Sequence, residues 1–344
     1  MSWLRKALVH LALARSDEAL IKASGGEART VRGMTLDPRF QFLEAQARKR
    51  ASAGGEATLA AARAQTEALN TLFGGARVRD VRVEKAYVTG RSHSVPGRLY
   101  LPTVRNNSAV MLTYYHFGGG VVGSLNSCHR LCALIAKEAG APVLSVDYRL
   151  APEHPFPAGL EDALAAYHWT VENAARYGAP GGRAAVGGDS MGGNFAAFVA
   201  QEARRTKPAA LQLLIYPALD MVSDTPSMHD FADAFPLTAP ILDFFMKTYL
   251  PEGADPSDAR ISPGRTQNLS RLPPALVYTA GFDMLLDQGE AYADRLSEAG
   301  VAVKRTRFDT LPHGFVAMPG AAPAAEAAIR QIARETAAAL KGQM

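Results

Sequence analysis

The sequence predicts an α/β fold: a mostly parallel sheet of about eight strands, covered by helices on both faces. Three observations carry this reading. Apolar, β-branched runs recur at 109–115, 141–146, 183–187, 211–216, 275–282 and 301–308, and helix-length segments lie between most of them. The runs are continuous rather than alternating, as strands buried on both faces are. The chain of 344 residues is 48% hydrophobic and 20% charged, enough apolar material for one large core.

In chain order, residues 1–75 read as alanine-rich helices broken by the glycine pairs Gly25-Gly26, Gly54-Gly55 and Gly74-Gly75. The first helix is amphipathic, with Trp3, Leu4, Leu8 and Leu11 on one side. Arg5-Lys6 followed by an apolar stretch ending in Ala-x-Ala has the outline of a leader peptide. That stretch is short, contains His10 and runs into Arg15-Ser16-Asp17-Glu18, so an ordinary helix is expected. Asp37-Pro38 marks another helix start, with Asp37 as N-cap and Pro38 at the first helical position. Val81-Arg82-Val83-Glu84 and Arg98-Leu99-Tyr100-Leu101 alternate like half-buried strands. Helices are expected at 127–139, 158–177, 192–205, 285–299 and 322–341. Within 218–274 only 239–249 reads as a clear helix, among proline-rich turns, and suggests an insertion above the sheet edge.

Between the run at 183–187 and the helix at 192–205 stands Gly188-Asp189-Ser190-Met191-Gly192. G-x-S-x-G between a strand and a helix is the nucleophile-elbow pattern, in which only glycine fits at the flanks of a sharp turn. The pattern alone also fits a loop without chemistry, so its partners decide. Ligands of such sheets sit at the carboxyl ends of strands. Asp283 follows the run 275–282, and His313 follows 301–308 after a short loop. The order Ser190, Asp283, His313 is that of α/β-hydrolases. A serine hydroxyl needs a histidine to take its proton and return it to the leaving group. A carboxylate orients that histidine and stabilises its cation. Asp287 is the rival acid, but it more naturally caps the helix that follows. His10, His93, His129, His154, His168 and His229 lack such placement and read as solvated or structural.

The run 109–115 ends in His116-Phe117-Gly118-Gly119-Gly120-Val121-Val122-Gly123. A glycine run after a strand frees backbone N–H groups to face a developing oxyanion. No G-x-x-x-x-G-K-[ST] is present to make it a phosphate loop.

Together these motifs resemble the hormone-sensitive lipase family, the bacterial family IV carboxylesterases and lipases of the α/β-hydrolase superfamily. The resemblance runs from about Leu36 to Phe315. It rests on the loop at 116–119, Gly-Asp-Ser-x-Gly-Gly at 188–193, Asp283-x-x-x-Asp287-x-Gly289 and His313-Gly314-Phe315. A further match is the run 147–158, from Asp147-Tyr148-Arg149 to Phe156-Pro157-Ala158, which reads as structural. The resemblance implies an α/β-hydrolase core over 76–217 and 256–344, with a helical cap made of 1–75 and 218–255. It implies a serine esterase acting on short- to medium-chain carboxylic esters through an acyl-enzyme. Ser190, Asp283 and His313 would be its triad, and no metal or organic cofactor is required. The same triad could serve amide, thioester or lactone substrates. A non-catalytic small-molecule receptor is the other reading, since gibberellin receptors of this family lack the catalytic histidine.

The chain departs from the family at two places. Met191 stands where alanine is common, and only its N–H is needed. Phe117 takes the place of the first glycine, and Gly120 that of a large aromatic. Anchoring on His116 makes Gly118 and Gly119 the oxyanion donors with Met191, whereas anchoring on the glycines would make them Gly119 and Gly120. The first needs no gap and is preferred. Phe117, Gly120 and Asp189 are expected to line the substrate pocket, with the exchanged Phe117 and Gly120 repositioning one aromatic ring.

The net charge of +4 is uneven, with 14 Lys and Arg against 8 Asp and Glu over residues 1–82, and 23 against 25 beyond. No dense basic cluster with interleaved aromatics suggests a nucleic-acid partner, and no run suffices for a membrane span. Cys128 and Cys132, four apart, read as buried small hydrophobes rather than a disulfide or zinc site. The expected partner is a small-molecule ester, the expected compartment the cytoplasm, and a homodimer is left open.

Overall fold

The computed structural model describes residues 3–52, 58–89, 93–106, 110–179 and 182–343. The glycine pair at 54–55, residue 109 of the first expected parallel strand and the side chains of Trp3 and Leu4 lie outside the described part. The central sheet has eight strands: β1 (Val81–Thr89), β2 (Ser94–Pro102), β3 (Met111–Tyr115), β4 (Val143–Val146), β5 (Ala184–Asp189), β6 (Gln212–Ile215), β7 (Ala275–Phe282) and β8 (Val303–Pro312). They lie in the order β8-β7-β6-β5-β3-β4-β2-β1. β2 pairs antiparallel with β1 and β4, and every other neighbouring pair is parallel.

Burial follows position in the sheet. Every residue of β3 to β7 is buried, as continuous apolar runs require, while edge strand β1 mixes buried with exposed residues and edge strand β8 is exposed or half-buried as far as Thr310. Successive side chains feed opposite faces. Leu112 and Tyr114 of β3 join one hydrophobic cluster, and Met111 and Tyr115 the other. The first cluster holds residues from α5 (His129–Ala139) and α11 (Pro323–Leu340), with Phe40 and Phe73 from the N-terminal part. The second holds residues from α6 (Ala158–Asn173), α7 (Met191–Ala203) and α10 (Leu286–Glu298).

The N-terminal part contains α1 (Trp3–Leu13), α2 (Asp17–Ala23), α3 (Pro38–Ser52) and α4 (Leu59–Phe73). Asp37 caps α3 as expected, its carboxylate accepting from the Arg39 N–H at 2.8 Å. A two-stranded hairpin, Thr30–Val31 with Met34–Thr35, precedes it and has no apolar pattern of its own. The Asp37 N–H donates to the Thr310 carbonyl of β8, which ties this segment to the sheet end. In α1, Leu8 and Leu11 are 57% and 70% exposed while Leu13 is buried, so that part of the expected apolar face looks outward. Between β6 and β7 lie α8 (Pro226–Asp230), too short to show a helical period, and α9 (Ala239–Tyr249).

The β5–α7 turn is built on absent side chains. A Cβ on Gly192 would stand 2.0 Å from the Tyr115 carbonyl oxygen, and one on Gly188 would stand 2.2 Å from that of Gly192. The end of β3 and the turn therefore touch backbone to backbone. Ser190 between them has φ 55° and ψ −118°, a conformation costing a non-glycine residue ~1–3 kcal/mol. Ser190 N–H to Ile215 O, at 2.9 Å, and Ala218 N–H to Ser190 O, at 3.1 Å, hold it there. Because these neighbours are main chain, Gly192→Ala is expected to destabilise the protein by about 3 kcal/mol or more. Urea unfolding of soluble Gly192→Ala beside wild type measures this.

Candidate active site

Two loops at the carboxyl ends of strands converge on Ser190. β7 ends at Phe282, next to Asp283; β8 ends at Pro312, next to His313. Pro312 is in register with Phe282, so the two residues that follow emerge side by side. His313 Nε2 lies 2.9 Å from Ser190 Oγ, and His313 Nδ1 lies 2.7 Å from Asp283 Oδ2. The other Asp283 oxygen accepts the Leu285 N–H at 2.9 Å, fixing the carboxylate plane. All three residues are buried: Ser190 7%, His313 6% and Asp283 1% exposed. With Nδ1–H donated to the carboxylate, Nε2 is the acceptor for the serine proton.

Asp287 is engaged elsewhere. Its carboxylate accepts from Arg32 Nη1 and from the Ser227 N–H, both at 2.8 Å. It therefore ties the N-terminal part and the start of α8 to α10, and serves α8 rather than its own helix.

Asp189 does not line a pocket, which corrects the expectation from sequence. It is fully buried beneath the elbow, because adjacent residues of a strand point to opposite faces and β5 leads straight into the turn. Oδ1 accepts from Tyr114 Oη at 3.0 Å and Cys128 Sγ at 3.1 Å; Oδ2 accepts from Tyr216 Oη at 3.0 Å. Burial pushes the Asp189 carboxyl up, against the lowering effect of these donors. The Tyr216 ring also packs against His313, with centroids 4.8 Å apart. Cys128 and Cys132 are both buried and free, as the sequence suggested.

Gly118, Gly119 and Gly120 all have positive φ, at 122°, 63° and 73°. Among the described residues, their three N–H groups have no acceptor. The Gly118 carbonyl takes the N–H groups of Val121 and Val122, and the Gly120 carbonyl takes that of Ala151. Helix α9 lies over this loop. A Cβ on Gly119 would reach the Phe245 ring at 2.6 Å, and one on Gly120 the Tyr249 ring at 2.5 Å. The ring beside Gly120 therefore comes from Tyr249, four residues along α9 from Phe245. Phe117 is half-buried against the cluster that contains Phe40 and Phe315. Met191 is buried in the cluster on the α7 side. Phe245, Tyr249 and Tyr216 went unseen in the sequence, since an aromatic in an amphipathic helix or at a strand end reads as ordinary core.

With this geometry in view, the sequence profile of the α/β hydrolase fold matches residues 112–317. The chain belongs to the α/β-hydrolase family. It resembles the carboxylic ester hydrolase LipN of Mycobacterium tuberculosis, 40% identical over 303 residues, 85% of this chain and 80% of that one. It also resembles the ethyl acetate hydrolase of Pseudomonas putida, 39% identical over 75% of this chain and 83% of that one. The Pyrobaculum calidifontis esterase structure superposes with a TM-score of 0.77 at 36% identity, covering 82% of this chain and 94% of that one. These relatives place it in the hormone-sensitive-lipase-like branch of the α/β-hydrolases.

Among the remaining histidines, His93 bonds Asp162 at 2.7 Å, and His129 bonds Tyr100 at 3.0 Å. No group of His, Cys, Asp and Glu suited to a metal ion is found among the described residues.

His116 opens the glycine loop and is fully buried, stacked on Tyr148 at 4.3 Å. Its Nδ1 faces the Phe117 carbonyl at 2.7 Å, and Nε2 has no partner among the described residues. Burial pushes its pKa from 6.5 down to about 4. The folded protein thus keeps His116 neutral where the unfolded chain would protonate it. The stability it contributes is complete above its unfolded pKa of 6.5 and lost as pH falls toward about 4. From about pH 7 to about pH 5 this group should remove about 2 kcal/mol of stability. Unfolding free energies from urea melts at both pH values should show a smaller loss in His116→Asn by that amount.

Proposed function

We propose that this chain is a serine carboxylesterase that hydrolyses short- to medium-chain esters in two steps. The observation that carries this reading is the continuous Ser190–His313–Asp283 relay, with links of 2.9 and 2.7 Å. Ser190 Oγ attacks the ester carbonyl carbon while its proton passes to His313 Nε2. The carbonyl π electrons move to oxygen, and the N–H groups of Gly118, Gly119 and Met191 take up the resulting oxyanion. Each such donor is typically worth ~10²–10³ in rate. The intermediate collapses, His313 returns the proton to the departing alkoxide, and the alcohol leaves. Water then attacks the acyl-enzyme, giving one proton to His313. The second collapse expels Ser190 Oγ, which recovers that proton, and the acid is released. Asp283 keeps the imidazole in the required tautomer and offsets its transient charge.

In this reading residues 1–75 and 218–255 form the cap over an α/β-hydrolase core of 76–217 and 256–344. The Arg32–Asp287 ion pair at 2.8 Å and the seating of α9 on the glycine loop support it. The rings of Phe245 and Tyr249 lie against Gly119 and Gly120, which places these two α9 side chains to bound the acyl pocket.

Two experiments test the reading. On p-nitrophenyl butyrate, Ser190→Ala is expected to lower kcat by ~10⁴-fold or more. Equal rates for wild type and variant would refute the proposed nucleophile. Across p-nitrophenyl esters of increasing acyl length, Phe245→Ala should shift the optimum of kcat/KM to longer chains. Superimposable profiles would exclude Phe245 from the acyl pocket.

A further inference from the structure

The three-glycine loop has no side chains with which to anchor itself, and positive φ at each residue leaves many alternatives open. The Val121 and Val122 N–H groups close it on the Gly118 carbonyl, and the rest of its shape is set from outside. Arg63, on α4, reaches it with a full fork of donors. Nε donates to the Val121 carbonyl at 3.0 Å, and Nη2 to the Ala151 carbonyl at 3.0 Å. Nη1 and Nη2 each meet a Glu153 carboxylate oxygen at 2.7 Å, which orients the guanidinium plane. Ala151 in turn donates its N–H to the Gly120 carbonyl at 2.8 Å. One side chain thus holds the residue after the glycines directly and the last glycine through a single relay.

The helix face continues the grip. Glu67 and Asn70 follow Arg63 at helical spacing. Glu67 accepts from Ser124 Oγ at 2.7 Å and from Asn126 Nδ2 at 3.2 Å, and Asn70 Nδ2 donates to Ser127 Oγ at 3.2 Å. Residues 121–127 are therefore fastened along one polar stripe of α4.

We propose that Arg63 is a positioning residue of the oxyanion site, setting from α4 the direction of the Gly118 and Gly119 N–H groups. This rests on the acyl-transfer reading above. Oxyanion donors act only if pre-aimed, and a 1 Å misplacement can cost ~10²-fold in rate. Lysine cannot replace the fork, because one ammonium cannot span two carbonyls and a carboxylate. Arg63 and Glu153 side chains are 32% and 53% exposed, so the pair adds little to global stability. Loss of Arg63 should therefore appear in the transition state rather than in the fold.

The test compares wild type, Arg63→Ala and Arg63→Lys by kinetics on p-nitrophenyl butyrate, inhibition by butylboronic acid and thermal unfolding. Butylboronic acid adds to Ser190 as a tetrahedral anion, and N-phenylbutyramide, titrated over a time in which no aniline is released, reports ground-state binding. Both variants should lose kcat by about 10- to 100-fold, and boronate affinity by a similar factor. KM, amide affinity and Tm should stay close to wild type. Unchanged kcat and boronate affinity would overturn the inference, as would a parallel loss of amide affinity and Tm. Should Arg63→Ala fail to fold, Glu153→Gln reads the same quantities: a severalfold loss of kcat and boronate affinity supports the inference, and no loss overturns it. An inactive wild type would instead refute the esterase reading itself.

Discussion

The contact between the end of β3 and the β5–α7 turn governs the geometry of this protein. Gly188 and Gly192 let two stretches of main chain meet at distances that any Cβ would forbid. The contact has two products, because each chain segment that enters it continues into the site. β5 emerges as Ser190 in its strained conformation, and β3 emerges as His116 and the glycine loop. The Ser190 hydroxyl and the unpaired N–H groups of the glycine loop are thereby referred to the same few backbone atoms. Strain at Ser190 persists because the surrounding hydrogen bonds over-determine it.

The acid and the histidine are referred to the same frame through sheet register. β6 lies between β5 and β7, and the parallel register of β7 with β8 delivers Asp283 and His313 together. A close approach recurs there, since a Cβ on Gly281 would stand 2.3 Å from the Asp309 carbonyl. Beneath the elbow, Asp189 gathers Tyr114, Cys128 and Tyr216, and the Tyr216 ring backs the His313 imidazole. Polar groups this deeply buried are expensive unless satisfied. Here the Asp189 carboxylate satisfies all three donors directly beneath the Ser190 turn.

Much of the core was legible because its signals are local. Continuous apolar runs marked β3 to β7, and glycines flanking a serine marked the turn. Asp283 and His313 could be picked out because each follows a strand directly. The Asp37 cap could be read for the same reason. What escaped was decided by packing across the chain. Leu8 and Leu11 have the spacing of a buried face, yet they point to solvent. Asp189 stands one residue from Ser190 and faces the opposite way. The aromatic beside Gly120 comes from Tyr249, more than a hundred residues later, and no pattern near the loop announces it.

The sequence by itself therefore determined the fold class and which serine, aspartate and histidine stand at the strand ends where they meet. Period, turn chemistry and chain order are properties of neighbours along the chain. Only the tertiary structure decided which side chains surround these three residues. Asp189 lies beneath the turn, α9 covers the glycine loop, and Arg63 grips it from the N-terminal part. Those relations depend on how separate helices pack, where helical spacing shows that a face exists but not what it meets.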